Sequence, residues 1–216
     1  MKTRIASLSL LALCLTLAAI PAMAGDIYDN GGTTGTADGW TINFGFSVTD
    51  SFTVASNTSA NGAEFIFWLS PGDTAPSVDL SIGTSAFGSD VANFTGLAST
   101  GSTNLGSNQY GFTLEQDSYS FASTPLSAGT TYWVTLQNAS VPSGDPVYWD
   151  ENSGPSMAQE NTLGTVPSES FTILGGGSSS SSSSSSGSST PEPSSIMLFG
   201  SGILGLAGVL RRKLSL

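Results

Sequence analysis

Between Gly25 and Pro193 the chain carries carboxylates, hydroxyls, amides and aromatic rings, but no His, Lys, Arg or Cys. That composition removes Ser-His-Asp and Cys-His triads, Schiff-base lysines, zinc sites with nitrogen or sulfur ligands, and arginine clamps. Three kinds of chemistry remain: acid–base work by paired carboxylates, binding of hard cations by oxygen, and stacking on rings. Paired carboxylates run glycoside hydrolysis, and Glu64, Glu115, Asp150 and Glu151 are the candidates. A carboxylate at a strand end is in most folds an ordinary surface group. No catalytic residue is assigned, and a non-enzymatic protein is expected.

Two short segments combine aromatic and acidic residues: Asp26-Ile27-Tyr28-Asp29-Asn30 and Tyr148-Trp149-Asp150-Glu151-Asn152. They lie near the two ends of the central region, and terminal strands of a β-sandwich often neighbour each other. If the segments meet, Asp26, Asp29, Asp150 and Glu151 supply oxygens of the kind calcium takes. The spacing of an EF-hand is absent. Of the four tryptophans, Trp68 and Trp133 sit within strong apolar runs and read as core. Trp149, beside carboxylates and after Pro146, reads as exposed. With Tyr148 it is the candidate sugar-stacking platform of an alternative reading, a carbohydrate-binding module that retains extracellular polysaccharide, beside the first reading of a structural or adhesive surface protein.

All sixteen Asp and Glu lie between Gly25 and Pro193, so this stretch carries −16 against −11 for the whole chain. Such a surface repels phosphate backbones, which excludes nucleic acid as a partner. Anionic membrane surfaces are poor partners for the same reason. The single cysteine, Cys14, falls in the N-terminal apolar run, so no disulfide is available to the rest of the chain.

The five basic residues are Lys2, Arg4, Arg211, Arg212 and Lys213. Met1-Lys2-Thr3-Arg4, an apolar run from Ile5 to Ile20, and Pro21-Ala22-Met23-Ala24 read as a signal peptide, 1–24, cut by signal peptidase after Ala24. At the other end Pro191-Glu192-Pro193 precedes the uncharged segment Ser194–Leu210 and the basic cluster Arg211-Arg212-Lys213. Its seventeen residues span roughly 26 Å as a helix, enough for a thin bilayer core, which predicts one transmembrane helix over 194–210. The basic cluster stays inside and acts as a stop-transfer signal, and all that precedes Pro191 is outside.

This order of motif, apolar segment and basic end resembles the PEP-CTERM sorting signal of exosortase substrates. The resemblance covers residues 191–216 and implies recognition and trimming by an exosortase, a membrane-embedded peptidase, after a transient stay in the inner membrane. Pro191, Glu192 and Pro193 are then a recognised peptide rather than an active site. Two prolines restrict φ and disfavour helix, which presents the motif in extended form. The implied destination is the cell-envelope surface or the extracellular matrix, as in a biofilm.

The elements that must position the candidate residues lie in 25–174. Trp40-Thr41-Ile42-Asn43-Phe44-Gly45-Phe46 alternates, with Trp40, Ile42, Phe44 and Phe46 on one face. Phe65 to Leu69 is a continuous apolar run fit for a central strand. Ser77–Gly83 and Thr131–Gln137 alternate cleanly, and 51–54, 110–114, 118–122, 146–149 and 169–173 are shorter candidates. Period-two patterning broken by Gly, Pro, Asn and Asp predicts an all-β, antiparallel, jelly-roll-like β-sandwich. Residues 175–190, three glycines and then serines broken by Gly187, read as a solvated tether with a span of roughly 20–25 Å. Replacing Pro191-Glu192-Pro193 by alanines is expected to leave full-length protein in the inner membrane. Fractionation with intact-mass measurement checks this, and a normally sized protein at its normal location contradicts the sorting assignment.

Overall fold

The computed structural model describes residues 25–33 and 38–175. The expected signal peptide, the linker after Gly175, the helix 194–210 and the sorting tail lie outside the described residues. Among the described residues there is no helix, and none long and apolar enough to cross a membrane.

Thirteen strands follow one another: β1 (Gly25–Asp29), β2 (Gly39–Thr41), β3 (Ser47–Thr53), β4 (Thr58–Leu69), β5 (Ser77–Gly83), β6 (Ala92–Leu97), β7 (Gly101–Ser107), β8 (Thr113–Leu126), β9 (Thr131–Ser140), β10 (Tyr148–Asp150), β11 (Ala158–Glu160), β12 (Gly164–Val166) and β13 (Phe171–Gly175). All pairings are antiparallel. One sheet has seven strands and is organised on β4. Strand β8 runs along one edge of β4 from Thr58 to Leu69. The opposite edge is shared end to end, by β13 against Ala60–Phe65 and by β10 against Phe67–Trp68. Strands β1, β2 and β7 lie outside β13, β10 and β8. The other sheet has six strands in the order β12-β11-β3-β9-β5-β6.

The inward residues of both sheets form one apolar core. Phe65, Phe67 and Leu69 of β4 meet Val78, Leu80 and Ile82 of β5 and Val134 and Leu136 of β9. An aromatic contact ties the layers together, Phe52 of β3 lying 6.4 Å from Phe171 of β13, edge on, and within the seven-stranded sheet Phe65 meets Trp149 at 5.3 Å and 88°. Edge-to-face geometry of this kind suits the ring quadrupoles. The unbroken apolar run of β4 has a specific cause. Phe65, Phe67 and Leu69 fill the core, while Ile66 and Trp68 on the other face are also buried. A strand covered on both faces loses the alternation of a half-exposed one.

Three expectations change. The run 40–46 is not one strand. Strand β2 stops at Thr41, and Asn43 to Phe46 form a tight turn closed by Phe46 N–H donating to Asn43 O at 3.0 Å. Phe44 and Gly45 both have positive φ there, which turns Phe44 out to solvent instead of into the core. Residues 113–126 form one long strand rather than two short ones, and β6 and β7 add two strands to the expected set, β7 without any apolar alternation. Phe65→Ala is expected to destabilise the domain by about 3–5 kcal/mol. Phe44→Ala is expected to change stability by no more than about 0.5 kcal/mol. Urea unfolding of both variants checks the placement.

Candidate functional site

The β7–β8 hairpin loop, 108–112, is shaped by its own side chains. Asn108 Oδ1 accepts from Tyr110 N–H at 3.0 Å and Phe112 N–H at 3.1 Å, and Gly111 takes a φ of +85°. This folds Tyr110 and Phe112 over Trp68, with ring centroids 5.8 and 6.0 Å away. Strand β10 pairs Tyr148 with Trp68, and the Tyr148 ring meets Phe112 at 5.4 Å. On the far side, Asp38 and Gly39 complete a cleft of about 340 Å³ lined by Trp68, Tyr110, Phe112 and Tyr148. Gly39 keeps it open. A Cβ there would sit 3.2 Å from Trp68 Cδ2 and 3.1 Å from Tyr148 Cβ. Tyr110 is 59% exposed and forms the lip.

Trp68 is held by its polar edge. Its Nε1–H donates to Asp150 Oδ1 at 2.5 Å, and Ser170 Oγ–H donates to Asp150 Oδ2 at 2.9 Å. Burial raises the Asp150 pKa against these bonds. Glu151, the next residue, accepts from Trp40 Nε1–H at 3.3 Å.

Beside the cleft, residues 151–170 leave the seven-stranded sheet, form β11 and β12 in the other sheet, and return. The exit and return are pinned together. Ser170 N–H donates to Asp150 O, Asn152 N–H donates to Ser168 O, and Glu151 faces Glu169 across an isolated bridge. Asp50, an inward residue of β3, binds this junction. Its carboxylate accepts from Glu169 N–H and Ser156 Oγ–H at 2.8 Å and from Ser51 N–H at 2.6 Å. Asn30 donates to Ser168 Oγ at 2.7 Å and to Glu169 O at 2.6 Å.

The sequence-expected sites are redistributed. The two aromatic-acidic segments do meet, but through Asn152 Nδ2–H donating to Asn30 O at 2.8 Å. Asp26 and Asp29 lie exposed on β1, and Asp29 caps Gly31 N–H at 2.8 Å. Asp150 and Glu151 are engaged with Trp68 and Trp40. Among the described residues no group of three or more carboxylates gathers as a cation site. Trp149 is a correction: it is fully buried, and its Nε1–H donates to Ser170 O at 2.9 Å. In an alternating strand its neighbour must face the other way, so Tyr148 is the one that reaches the cleft. The sequence reading missed Trp68, Tyr110, Phe112 and Asp38. The unbroken apolar run of β4 was the available signal, because it requires a cover on its outer face. Glu64 accepts from Gln116 and Ser118 on neighbouring β8, away from the cleft.

The tail supplies the other functional element. The PEP-CTERM protein-sorting motif matches residues 189–213, spanning the Pro-Glu-Pro triplet, the apolar segment and the basic end. The motif follows an acidic all-β domain in the sequence. The chain carries a PEP-CTERM sorting motif, which supports export, processing by an exosortase and sorting to the cell surface. No curated protein matches the chain.

Several buried carboxylates have raised pKa values. Burial pushes Asp50 and Asp117 up to about 6 against their hydrogen bonds, and it raises Glu151 as well. Glu169 is fully buried and neither carboxylate oxygen has a hydrogen-bond partner. Burial drives its pKa well above the usual range, and the charges of Asp50, Glu151, Asp150 and Asp38 add to the effect. Each of these groups binds its proton more tightly folded than unfolded, so stability rises as pH falls through the folded value. The gain is complete below the unfolded carboxylate range near pH 4, with a slope of about 1.4 kcal/mol per pH unit for each group that titrates. Asp90 and Glu160 are shifted down and oppose this only below about pH 4.5. The melting temperature is therefore expected to be higher at pH 5 than at pH 7.5. Glu169→Gln is expected to raise it at pH 7.5 and to flatten the dependence. A melting temperature that falls on acidification over this range contradicts the assignment.

Proposed function

We propose that this protein is a non-enzymatic, adhesive component of the cell surface, delivered by an exosortase, that holds extracellular polysaccharide in its aromatic cleft. The observation that carries the reading is the open cleft of Trp68, Tyr110, Phe112 and Tyr148 beside Asp38. Pyranose rings present flat C–H faces that stack on aromatic rings, and their hydroxyls seek acceptors at the edge. Concave, ring-lined sites with a few polar groups are the common form of ligand pocket. The non-enzymatic part is supported by the carboxylates. Glycoside hydrolysis takes two carboxyl groups facing each other across the sugar. Asp38 lines the cleft, while Asp150 lies buried beneath Trp68. A second concavity among the described residues, about 280 Å³ between Phe44 and Val141, is lined by the end of β9 and by loop residues with one ring, Phe44, and offers no stacking pair.

Glycan-array binding followed by titration with the best oligosaccharide tests the reading. Tyr110→Ala and Tyr148→Ala are each expected to weaken binding by about 5- to 100-fold with the melting temperature nearly unchanged, as loss of one stacking partner implies. Gly39→Val is expected to abolish binding by filling the cleft. Trp149→Ala is expected to destabilise the fold by about 3–5 kcal/mol instead. Full affinity in both tyrosine variants, or hydrolysis of a bound polysaccharide, rules the proposal out.

A further inference from the structure

Three N–H donors at the cleft are already taken, and the phenol hydroxyls of Tyr110 and Tyr148 can donate as well as accept. Trp68 Nε1–H is given to Asp150 at 2.5 Å, Gly39 N–H to Asp38 Oδ1 at 3.0 Å, and Trp40 Nε1–H to Glu151 at 3.3 Å. Each of these three donors thus ends on a carboxylate of this chain. Behind the rim stand the carboxyl groups of Asp150 and Glu151, which accept from Trp68 and Trp40. Proteins that hold carboxylate or sulfate groups use arginine forks, lysines or free N–H groups. Between Gly25 and Pro193 this chain has no Lys, Arg or His with which to do so.

We infer that the cleft selects uncharged polysaccharide and rejects chains bearing carboxylate or sulfate, and that Asp38 is the residue that sets this selectivity. The inference rests on the polysaccharide-binding reading above and specifies its ligand class. Asp38 is exposed at the rim, and among the described residues its carboxylate accepts through Oδ1 from the neighbouring Gly39 N–H. Oδ2 is positioned to accept from a sugar hydroxyl, which a neutral sugar supplies. A uronate at the same place brings like charge against Asp38 with no Lys, Arg or His to offset it, and like-charge juxtaposition is a strong device against wrong partners. The net charge of the domain acts in the same direction but at longer range, and salt screens it beyond about 10 Å at 0.1 M. The contribution of Asp38 is local and is screened less.

The test titrates the intact exported domain with an uncharged oligosaccharide and with its uronate counterpart of the same length and linkage, in low salt and in 0.5 M salt. The neutral ligand is expected to bind at least about tenfold more tightly in low salt, as one uncompensated like-charge contact near a protein surface implies. Salt is expected to narrow the difference without closing it. Asp38→Asn is expected to raise uronate affinity several-fold and to change neutral-ligand affinity less. Equal or tighter binding of the uronate overturns the selectivity and leaves polysaccharide binding intact. An unchanged preference in Asp38→Asn overturns the role of that residue. Failure of both ligands across the array overturns the polysaccharide reading and this inference with it.

Discussion

Sixteen carboxylates and no basic side chain between Gly25 and Pro193 leave the exported part without the usual means of neutralising a buried negative charge. An ionised carboxylate cannot be taken out of water without compensation. Here the compensation comes from hydroxyls, amides, indoles and backbone N–H groups. Asp50 collects Ser156, Ser51 N–H and Glu169 N–H. Asp150 collects Trp68 and Ser170, and Asp117 collects Ser99 and Ser102. Glu169 collects no donor, and the proton is the one neutralising species the chain itself leaves to it.

This constraint places the carboxylates at the points where the chain changes sheets. Asp50 and Asp150 hold the exit and return of 151–170. Asp117 holds the corner between β6 and β7, which belong to opposite sheets, through Ser99 and Ser102. Glu115 holds the turn after β4 by accepting from Ala75 N–H at 2.6 Å. In a sandwich the apolar core secures the strands, and corners, where the ladder ends, need their polar groups satisfied in other ways. The domain does this with acids and serines. The same arrangement determines the cleft, because the Asp150 that fastens the sheet crossing also fastens Trp68 as the cleft floor.

Much of the architecture was legible in the sequence. The alternation of Ser77–Gly83 and Thr131–Gln137 identified β5 and β9, since one face of each meets a core and the other does not. The run Phe65–Leu69 identified the central strand. Strands β6 and β7 were not legible. Every residue of β7 is exposed, so its sequence bears no apolar imprint and its pairing with β8 alone defines it. The segment 40–46 misled for a related reason: Asn43-Phe44-Gly45-Phe46 fits the strand period, while its backbone reverses and exposes Phe44. For the site, the meeting of the segments around Asn30 and Asn152 was foreseeable from their terminal positions. Which of their side chains meet was not, because that depends on a bulge-prone register and on the sheet crossing of 151–170.

By itself, the sequence determined the properties that are sums or linear orders: export, the sorting tail, the acidic charge, the exclusion of nitrogen and sulfur chemistry, and the all-β class. These need no knowledge of which residues are neighbours in space. Tertiary structure decided what depends on neighbours. Trp149 and Tyr148 are adjacent and chemically alike on paper, yet opposite faces of β10 send one into the core and the other into the cleft. Glu169 has no sequence signature that separates it from the surface acids, and complete burial alone sets it apart. The cleft joins residues from β4, the β7–β8 loop, β10 and the segment before β2, and packing alone brings Trp68, Tyr110, Phe112, Tyr148 and Asp38 to one place.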